Sequence, residues 1–227
     1  MRLLIVAATA MEVTPLAAAL GEPALGGHER TQTLRHRGRE IDLLITGVGM
    51  VATAARCSRA LARTEYDVAL NVGVCGSFDS ALAPGTVVHV ISDRIAELGA
   101  EDDDRFLTIE ELKLLDPSEG PLAGAELVNG SPPASAVLAR LPRARGISVN
   151  TVHGNARSIA AVRERFAPQV ESMEGAGFMY SCLLHGIRFA QIRAVSNVVE
   201  TRNRASWRLA EAVASVTAAT VDVIGEL

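Results

Sequence analysis

The chain has 227 residues, of which 48% are hydrophobic, and its 22 basic and 26 acidic side chains give a net charge of −4. This length suits one large domain with a sizeable core. The slight acidity argues against a nucleic-acid partner, which selects for a basic surface. The composition therefore favours a globular enzyme or a small-molecule binder.

Two further features concern the compartment. The N-terminal apolar run is interrupted by Glu12 before it reaches the roughly 18–20 residues that cross a bilayer, and it lacks the small-residue cleavage site of a signal peptide. Cys57, Cys75 and Cys182 are odd in number and widely spaced, so neither a disulfide framework nor a zinc site is indicated. We expect a soluble cytoplasmic protein with free thiols, no metal or cofactor, and no membrane partner.

Short strands and longer helices alternate along the chain. Continuous apolar runs are typical of strands buried on both faces of a covered sheet, and they predict strands at residues 3–8, 41–46, 68–74, 86–91, 147–152 and 189–195. Helices are predicted at 50–63, at 173–185, and at 206–224 with Ser206 as the N-cap. This alternation predicts an α/β layered domain.

The pattern weakens between about residues 97 and 142. This stretch holds an acidic cluster at 101–104 and the proline-containing segments 116–117 and 131–133. We interpret it as a long excursion from the sheet within a single domain that covers residues 1–227. Loops of this length in compact domains are often functional.

Ligands of α/β proteins bind at the carboxyl ends of strands, and three predicted strand ends carry suitable residues. At the first, Glu12 follows the strand at 3–8 and lies at the turn into a helix. The residue type leaves two interpretations open. It is either a catalytic carboxylate or a first-turn acid that the helix dipole stabilises.

Glycines mark the second strand end. In the Asn-x-Gly-x-x-Gly motif at 71–76, Gly73 and Gly76 allow either a close approach of the backbone to a ligand or a plain tight turn. The motif is neither a P-loop nor a Rossmann fingerprint. Gly-Val-Gly at 47–49 leaves the same two options open.

The third place lies near the C-terminus. Glu174 belongs to a Met-Glu-Gly-Ala segment at 173–176, and Asn197 follows the strand at 189–195. Glu174 is either a site residue or a helix-capping acid, and Asn197 is either a site residue or a turn former. The histidines show no metal-binding or triad spacing, so each is interpreted as satisfied or exposed.

Together these motifs resemble the purine nucleoside phosphorylase/nucleosidase family over most of the chain. Met-Glu at 11–12, the two glycine motifs, Met-Glu-Gly-Ala at 173–176 and Arg-Ala-Val-Ser at 193–196 occur in the family's order, and the last two are the most specific. Within the family, three details are similar to the futalosine hydrolase branch. They are Ser172, Asn197 where most nucleosidases carry Asp, and the Leu-Gly-Ala-Glu-Asp stretch at 98–102 with Arg202 and Trp207 downstream.

The resemblance implies a three-layer α/β/α fold with a central mixed sheet flanked by helices. It also implies hydrolysis of futalosine, an intermediate of the alternative menaquinone pathway, with release of hypoxanthine. The implied assembly is a homodimer with shared sites, in which the stretch around Phe106 reaches across the interface. A small-molecule purine nucleoside is thus the expected partner.

The resemblance also assigns roles to individual residues. Glu12 would activate water, and a positioned general base contributes roughly 10²–10⁴-fold. Glu174 would accept hydrogen bonds from the ribose hydroxyls, and Met173 would pack against the sugar. The base and ribose pocket would be lined by Gly73, Val74 and Cys75.

Asn197 is a departure from the adenine-releasing relatives, which carry an acid at this position. An amide donates to a 6-oxo group and accepts from N7–H, so a 6-oxopurine is the matched leaving base. The carboxyphenyl group of futalosine calls for a cation and an aromatic surface, which Arg202, Arg204, Trp207 or Phe106 can supply. Arg202 and Arg204 are equally interpreted as part of a solvated approach to a helix. Relatives often stack an aromatic on the purine near 153–157, and this chain has none there.

Three alternatives remain open. The first is a nucleosidase that acts on another purine nucleoside, such as inosine or methylthioadenosine. A phosphorylase would need a phosphate site, but Val74 occupies a position where a hydroxyl is expected and Glu12 would repel phosphate. A non-catalytic nucleoside-binding protein would keep the fold without the reaction. The pair Glu12 and Glu174 argues against it, because a binder gains little from an acid aimed at a water site.

Overall fold

The computed structural model describes residues 1–21, 31–116, 120–122 and 125–227. The described strands are β1 (Arg2–Ala7), β2 (Thr31–His36), β3 (Arg39–Ile45), β4 (Val68–Ser77), β5 (Val87–Ile95), β6 (Gly99–Asp102), β7 (Arg105–Thr108), β8 (Leu127–Val128), β9 (Arg143–Ser148), β10 (Val170–Ser172) and β11 (Phe189–Val198). The described helices are α1 (Ala10–Ala19), α2 (Met50–Arg63), α3 (Ala136–Arg140), α4 (Ala156–Phe166), α5 (Gly175–Leu184) and α6 (Leu209–Glu226).

The central sheet is mixed. Among the described strands its order is β10-β9-β5-β11-β4-β1-β3-β2, with β8 added beside β5. β4 runs parallel to both β1 and β11, so these three strands end at the same edge. β10 also pairs antiparallel with β4, which closes β4, β10, β9, β5 and β11 into a small ring at one side of the sheet.

Helices cover both faces of the sheet, because successive strand residues point to opposite sides. Leu3 and Ile5 of β1 pack in one core with residues of α1 and α6. Leu4 and Val6 pack in a second core with residues of α2 and α5. The expected three-layer α/β/α arrangement with a mixed sheet is therefore confirmed.

Most predicted elements are found with shifted ends, but the strand predicted at 147–152 is largely wrong, because β9 spans Arg143–Ser148 and ends there. The helix at 50–63 matches α2, whereas α5 begins at Gly175 rather than at 173. Ser206 is not the N-cap of the last helix. It ends a short 3-10 turn, and α6 begins at Leu209 because Trp207 is extended and the Arg208 backbone N–H donates to Ser196 O at 2.8 Å, which ties this segment to the end of β11.

The stretch from 97 to 142 contains regular structure that the sequence analysis did not predict. β6 and β7 form a separate two-stranded sheet, β8 joins the central sheet, and α3 packs against α6. The segment 116–117 is described only at Asp116, because residues 117–119 and 123–124 lie outside the described residues. Among the residues that are described, no helix is long and apolar enough to span a bilayer.

Candidate active site

A cavity of about 260 Å³ opens where β1, β4 and β11 end and where α1 and α5 begin. This is the edge at which α/β sheets bind ligands. Of the residues singled out from the sequence, those that line the cavity are Glu12, Val74, Cys75, Gly76, Ser172, Met173, Glu174, Asn197 and Trp207.

Other singled-out residues lie elsewhere. Gly73 lies behind the cavity wall, as described below. Phe106 faces a neighbouring polar cavity, where the Arg165 guanidinium lies 3.8 Å from its ring centre. Arg202 is exposed, with its guanidinium 5.6 Å from the ring centre of Trp207. Within this chain, Trp207 is therefore the residue of this group that reaches the cavity.

Glu12 combines both interpretations that its residue type allows. It lies in the first turn of α1, where Oε2 accepts hydrogen bonds from the Thr9 backbone N–H at 3.0 Å and from Thr9 Oγ1 at 2.9 Å. Its other oxygen, Oε1, accepts from the Val74 backbone N–H at 3.3 Å and belongs to the cavity wall. Capping thus fixes the carboxylate in the position from which it can act on a ligand.

Gly73 makes room for two charged side chains. A Cβ at this position would lie 2.6 Å from both Glu12 Oε1 and Arg193 Nη1. Arg193 lies opposite Gly73 in the strand register, is 1% exposed, and donates through Nη2 to Asn71 Oδ1. The glycine is therefore required for close packing, and no turn is involved.

Glu174 approaches the same place from the start of α5. It stands at the N-cap position, but its side chain makes no capping hydrogen bond, which excludes the interpretation as a capping acid. Instead, Oε1 accepts from the Gly49 backbone N–H at 3.0 Å, and Oε2 lies 3.8 Å from Arg193 Nη1. We call Gly73, Glu12, Arg193 and Glu174 the Gly73 end of the cavity.

Burial raises the pKa of Glu174, and the negative charge of Glu12 raises it further. The Arg193 guanidinium and the Gly49 N–H act in the opposite direction. This balance keeps two carboxylates close together in a largely buried place, which favours a ligand that carries positive charge or hydroxyl donors.

Asn197 lies in β11 next to a bulge at Ser196, which shifts the register so that Asn197 faces Gly76. It is therefore a strand residue and does not form a turn. Its Oδ1 accepts from Ser196 Oγ at 2.8 Å, and its Nδ2 donates to Val198 O at 3.0 Å. One N–H and one lone pair of the amide remain for a ligand.

Glu171 and His153 accompany Asn197. A Cβ on Gly76 would lie 3.4 Å from Asn197 Nδ2 and 3.5 Å from Glu171 Cγ, so both side chains pass over this glycine. The Glu171 carboxylate accepts from the His153 backbone N–H at 3.1 Å and lies 2.7 Å from His153 Nδ1. We call Gly76, Asn197, Glu171 and His153 the Gly76 end.

Three of these residues were not predicted as site residues from the sequence. Arg193 could have been found as a lone charge in an apolar strand, and Glu171 as a second acid beside the Met-Glu motif. His153 lines the cavity, in the 153–157 stretch where relatives often place an aromatic against the purine, but its side chain was interpreted as satisfied or exposed. His28 lies outside the described residues.

The remaining wall is apolar and unreactive. Burial raises the pKa of the Cys75 thiol to about 12, so this side chain stays neutral and acts as a hydrophobic surface beside Val74. Across the described ranges, no cluster of His, Cys, Asp and Glu is placed to hold a metal ion. The cavity thus combines an apolar body with a few fixed polar groups, as expected for a small-molecule site.

Comparison with known proteins gives consistent results. The family model for the phosphorylase superfamily matches residues 2–224. Futalosine hydrolase of Streptomyces coelicolor is 33% identical over 238 residues, covering 100% of this chain and 95% of the relative. The native structure of Helicobacter pylori futalosine hydrolase aligns with a TM-score of 0.82 at 16% identity, covering 100% of this chain and 98% of the other. A 5′-methylthioadenosine/S-adenosylhomocysteine nucleosidase from Colwellia psychrerythraea in complex with adenine aligns with a TM-score of 0.80 at 20% identity, covering 100% and 96%.

Proposed function

The chain belongs to the phosphorylase superfamily, and on that premise we propose that it hydrolyses the N-glycosidic bond of futalosine, a purine nucleoside. The products are hypoxanthine and dehypoxanthine futalosine, which places the reaction in the futalosine route to menaquinone. The observation that carries the proposal is the division of one cavity between two fixed carboxylates, Glu12 and Glu174, and an uncharged amide, Asn197.

Glu12 is the general base. Water adds to C1′ of the ribose as the bond from C1′ to N9 breaks, and Glu12 takes the proton of that water. The hydrogen bonds from Thr9 and Val74 support this role, because they hold the carboxylate in one orientation without filling all of its acceptor positions.

Glu174 binds the ribose. Its carboxylate accepts hydrogen bonds from the 2′- and 3′-hydroxyls, and its charge stabilises the oxocarbenium-like sugar that forms as the base leaves. Met173, which is half-buried in the cavity wall, packs against the sugar as an adaptable apolar surface.

Asn197 stabilises the leaving base. The free N–H of its amide donates to O6 of hypoxanthine, and the free lone pair of its carbonyl accepts from N7–H as the base departs. A 6-aminopurine would oppose an amide N–H with another donor, which leaves buried polar groups unpaired.

Water is the nucleophile rather than phosphate. Glu12 and Glu174 would repel a phosphate dianion at the Gly73 end, and the nearby cation, Arg193, is already engaged by Asn71 and Glu174. The middle of the glycine motif is occupied by Val74, which offers no hydroxyl.

The test is chromatography of the bases released from futalosine, inosine and methylthioadenosine, each with and without phosphate. We expect hypoxanthine from futalosine at a rate that phosphate does not change. A requirement for phosphate would identify a phosphorylase, and release of adenine from methylthioadenosine alone would identify an adenine nucleosidase. Saturable binding without release of base would identify a nucleoside-binding protein.

The assembly we propose is a homodimer in the cytoplasm. Phe106 lies outside the cavity of its own chain and would then reach the site of the partner chain. There it would bind the carboxyphenyl group together with Arg202 and Trp207. Cys57, Cys75 and Cys182 are buried free thiols, which suits a reducing compartment. Light scattering coupled to size-exclusion chromatography measures the assembly directly.

A further inference from the structure

The hydrolysis proposed above leaves the pair of Glu171 and His153 without a role, although both residues line the cavity. Glu171 is 4% exposed and lies opposite Gly76 in the register of β10 and β4. Its two oxygens are directed to the backbone N–H and the ring of one residue, His153. Such a buried arrangement holds the imidazole in a fixed orientation.

The hydrogen bond between these side chains determines the tautomer of the histidine. A carboxylate has only acceptors, so the proton of the 2.7 Å contact belongs to His153 Nδ1. When Nδ1 carries the single ring proton, Nε2 is an acceptor. Within the described part of the chain no hydrogen bond engages Nε2. His153, whose ring packs edge to face against Phe78, lines this cavity and also the neighbouring polar cavity.

We infer that His153 determines the specificity for the base, with Nε2 accepting a hydrogen bond from N1–H of a 6-oxopurine and Glu171 holding the tautomer that makes this possible. The inference rests on the proposed function, because it assumes that the released base is a purine. A 6-oxopurine carries a hydrogen on N1, whereas N1 of a 6-aminopurine carries a lone pair. An acceptor then faces an acceptor, and both remain unpaired.

His153 and Asn197 thus read adjoining positions of one edge. O6 lies between N1 and N7 on the purine, and Asn197 is assigned to O6 and N7. The side chains of Asn197 and Glu171 both pass within 3.5 Å of a Cβ on Gly76, and Glu171 holds the His153 ring, so His153 is anchored next to Asn197 through this carboxylate. The fixed tautomer of His153 thus selects for a 6-oxopurine at N1, in addition to the selection by the Asn197 amide at O6 and N7.

The experiment measures kcat/KM for futalosine and for its counterpart with adenine in place of hypoxanthine. His153→Phe keeps an aromatic ring but removes both nitrogens, and we expect the preference for futalosine to fall about 10- to 100-fold. His153→Gln supplies a carbonyl acceptor and retains a larger preference. Glu171→Gln allows the amide to donate to Nδ1, which moves the ring proton to Nε2, so the preference falls as in His153→Phe.

His185→Phe is the matched control. His185 is exposed, it is hydrogen-bonded to Ser58, and neither residue lines the cavity. Its preference should equal that of the wild type. Circular dichroism and thermal unfolding show which variants are folded, and Glu171→Gln and His153→Gln decide the question if His153→Phe does not fold. A preference within about twofold of the wild type in the folded variants would overturn the inference, since the ring would then serve only as a wall.

The two proposals fail separately. If the wild type hydrolyses futalosine but the His153 variants keep its preference, only the specificity role is wrong. If the wild type does not hydrolyse futalosine, the proposed function is wrong, and calorimetric binding of hypoxanthine and 1-methylhypoxanthine tests His153 instead. We then expect tighter binding of hypoxanthine by the wild type and no such difference in His153→Phe, and equal binding by the wild type would overturn the inference.

Discussion

Each end of the cavity depends on a glycine of β4, but the two ends present opposite chemistry. Gly73 and Gly76 lie three residues apart on β4, roughly 10 Å along an extended strand, and each gives space to side chains from other elements. At the Gly73 end, two carboxylates surround a buried guanidinium. At the Gly76 end, the group offered beside Gly76 is a neutral amide, and the single carboxylate is occupied by His153.

This difference separates two tasks that a nucleosidase must perform on one molecule. Charge is concentrated where a sugar cation would form, because fixed charges stabilise a developing charge without reorganisation. Neutral donors and acceptors lie where the identity of the base would be read, because a mismatched hydrogen bond leaves buried polar groups unpaired and so discriminates strongly. Substitutions at the two ends should therefore alter different kinetic quantities.

The largest effect is expected from Glu12→Gln at the Gly73 end. The amide oxygen can still accept from the Thr9 backbone N–H, but the amide cannot take a proton from water, so kcat for futalosine should fall about 10³-fold. KM should change little, and the thermal unfolding midpoint should fall because the Val74 N–H loses its acceptor. A kcat within tenfold of the wild type would assign water activation to another residue.

Gly73→Ala and Gly76→Ala form a matched pair. At Gly73 the new methyl group meets Glu12 Oε1 and Arg193 Nη1 at 2.6 Å, and both atoms belong to side chains that other hydrogen bonds hold, so kcat/KM should fall about 100-fold. At Gly76 the nearest atom is Val199 Cγ2 at 2.8 Å, the end of a side chain, with Asn197 Nδ2 at 3.4 Å.

We expect a smaller effect from Gly76→Ala, about tenfold or less, and chiefly on KM and base preference. Steady-state kinetics of both variants on futalosine measure this contrast. Equal losses in kcat at both glycines would show that the two ends are not functionally separate.

Asn197→Asp introduces charge at the Gly76 end. The carboxylate cannot donate to O6, so hydrolysis of futalosine should weaken about tenfold, and the counterpart that carries adenine should gain relative to it. Competition between the two substrates in one reaction measures the change in preference. Wild-type activity on futalosine in this variant would contradict the role given to Asn197.

The sequence predicted most of the central sheet and the helix at 50–63, because long apolar runs and an alanine-rich periodic segment carry their own signal. It did not predict β10 or the hairpin of β6 and β7, which are short and polar. Glu12, Glu174 and Asn197 could be singled out because motifs surround them. Arg193 and Glu171 lie in or beside the same motifs, but their partners could not be predicted, because Arg193 meets Gly73, and Glu171 meets His153, only through strand pairing and loop packing between distant segments.

Asp93 lies behind the Gly73 end and supports the start of α5. It is fully buried, accepts from Ser148 Oγ at 3.0 Å and from Gln191 Nε2 at 3.1 Å, and lies against Gly175, where a Cβ would approach Oδ2 to 2.2 Å. Burial raises the pKa of Asp93 to about 6, although the bonds from Gln191 and Ser148 and the charge of Arg193 act to lower it.

Asp93→Asn should therefore change stability rather than chemistry, with kcat/KM for futalosine within about twofold of the wild type because Asp93 does not line the cavity. The pKa of the folded carboxyl lies above its unfolded value of 3.8, so its stabilising neutral form is fully present below about pH 4 and is lost as the pH rises through 6. The free energy of unfolding of the amide variant does not fall over this pH range, because an amide does not titrate. Its N–H can also donate to Gln191 Oε1, a buried oxygen without a hydrogen-bond partner among the described residues.

Urea unfolding at pH 5 and pH 8 measures this difference. Relative to the wild type, the free energy of unfolding of D93N should be higher at pH 8 than at pH 5 by about 1–3 kcal/mol. If the difference in free energy of unfolding between the two proteins did not depend on pH, Asp93 would be ionised in the folded protein throughout this range. A large loss of activity in D93N would show that Asp93 takes part in catalysis at the Gly73 end.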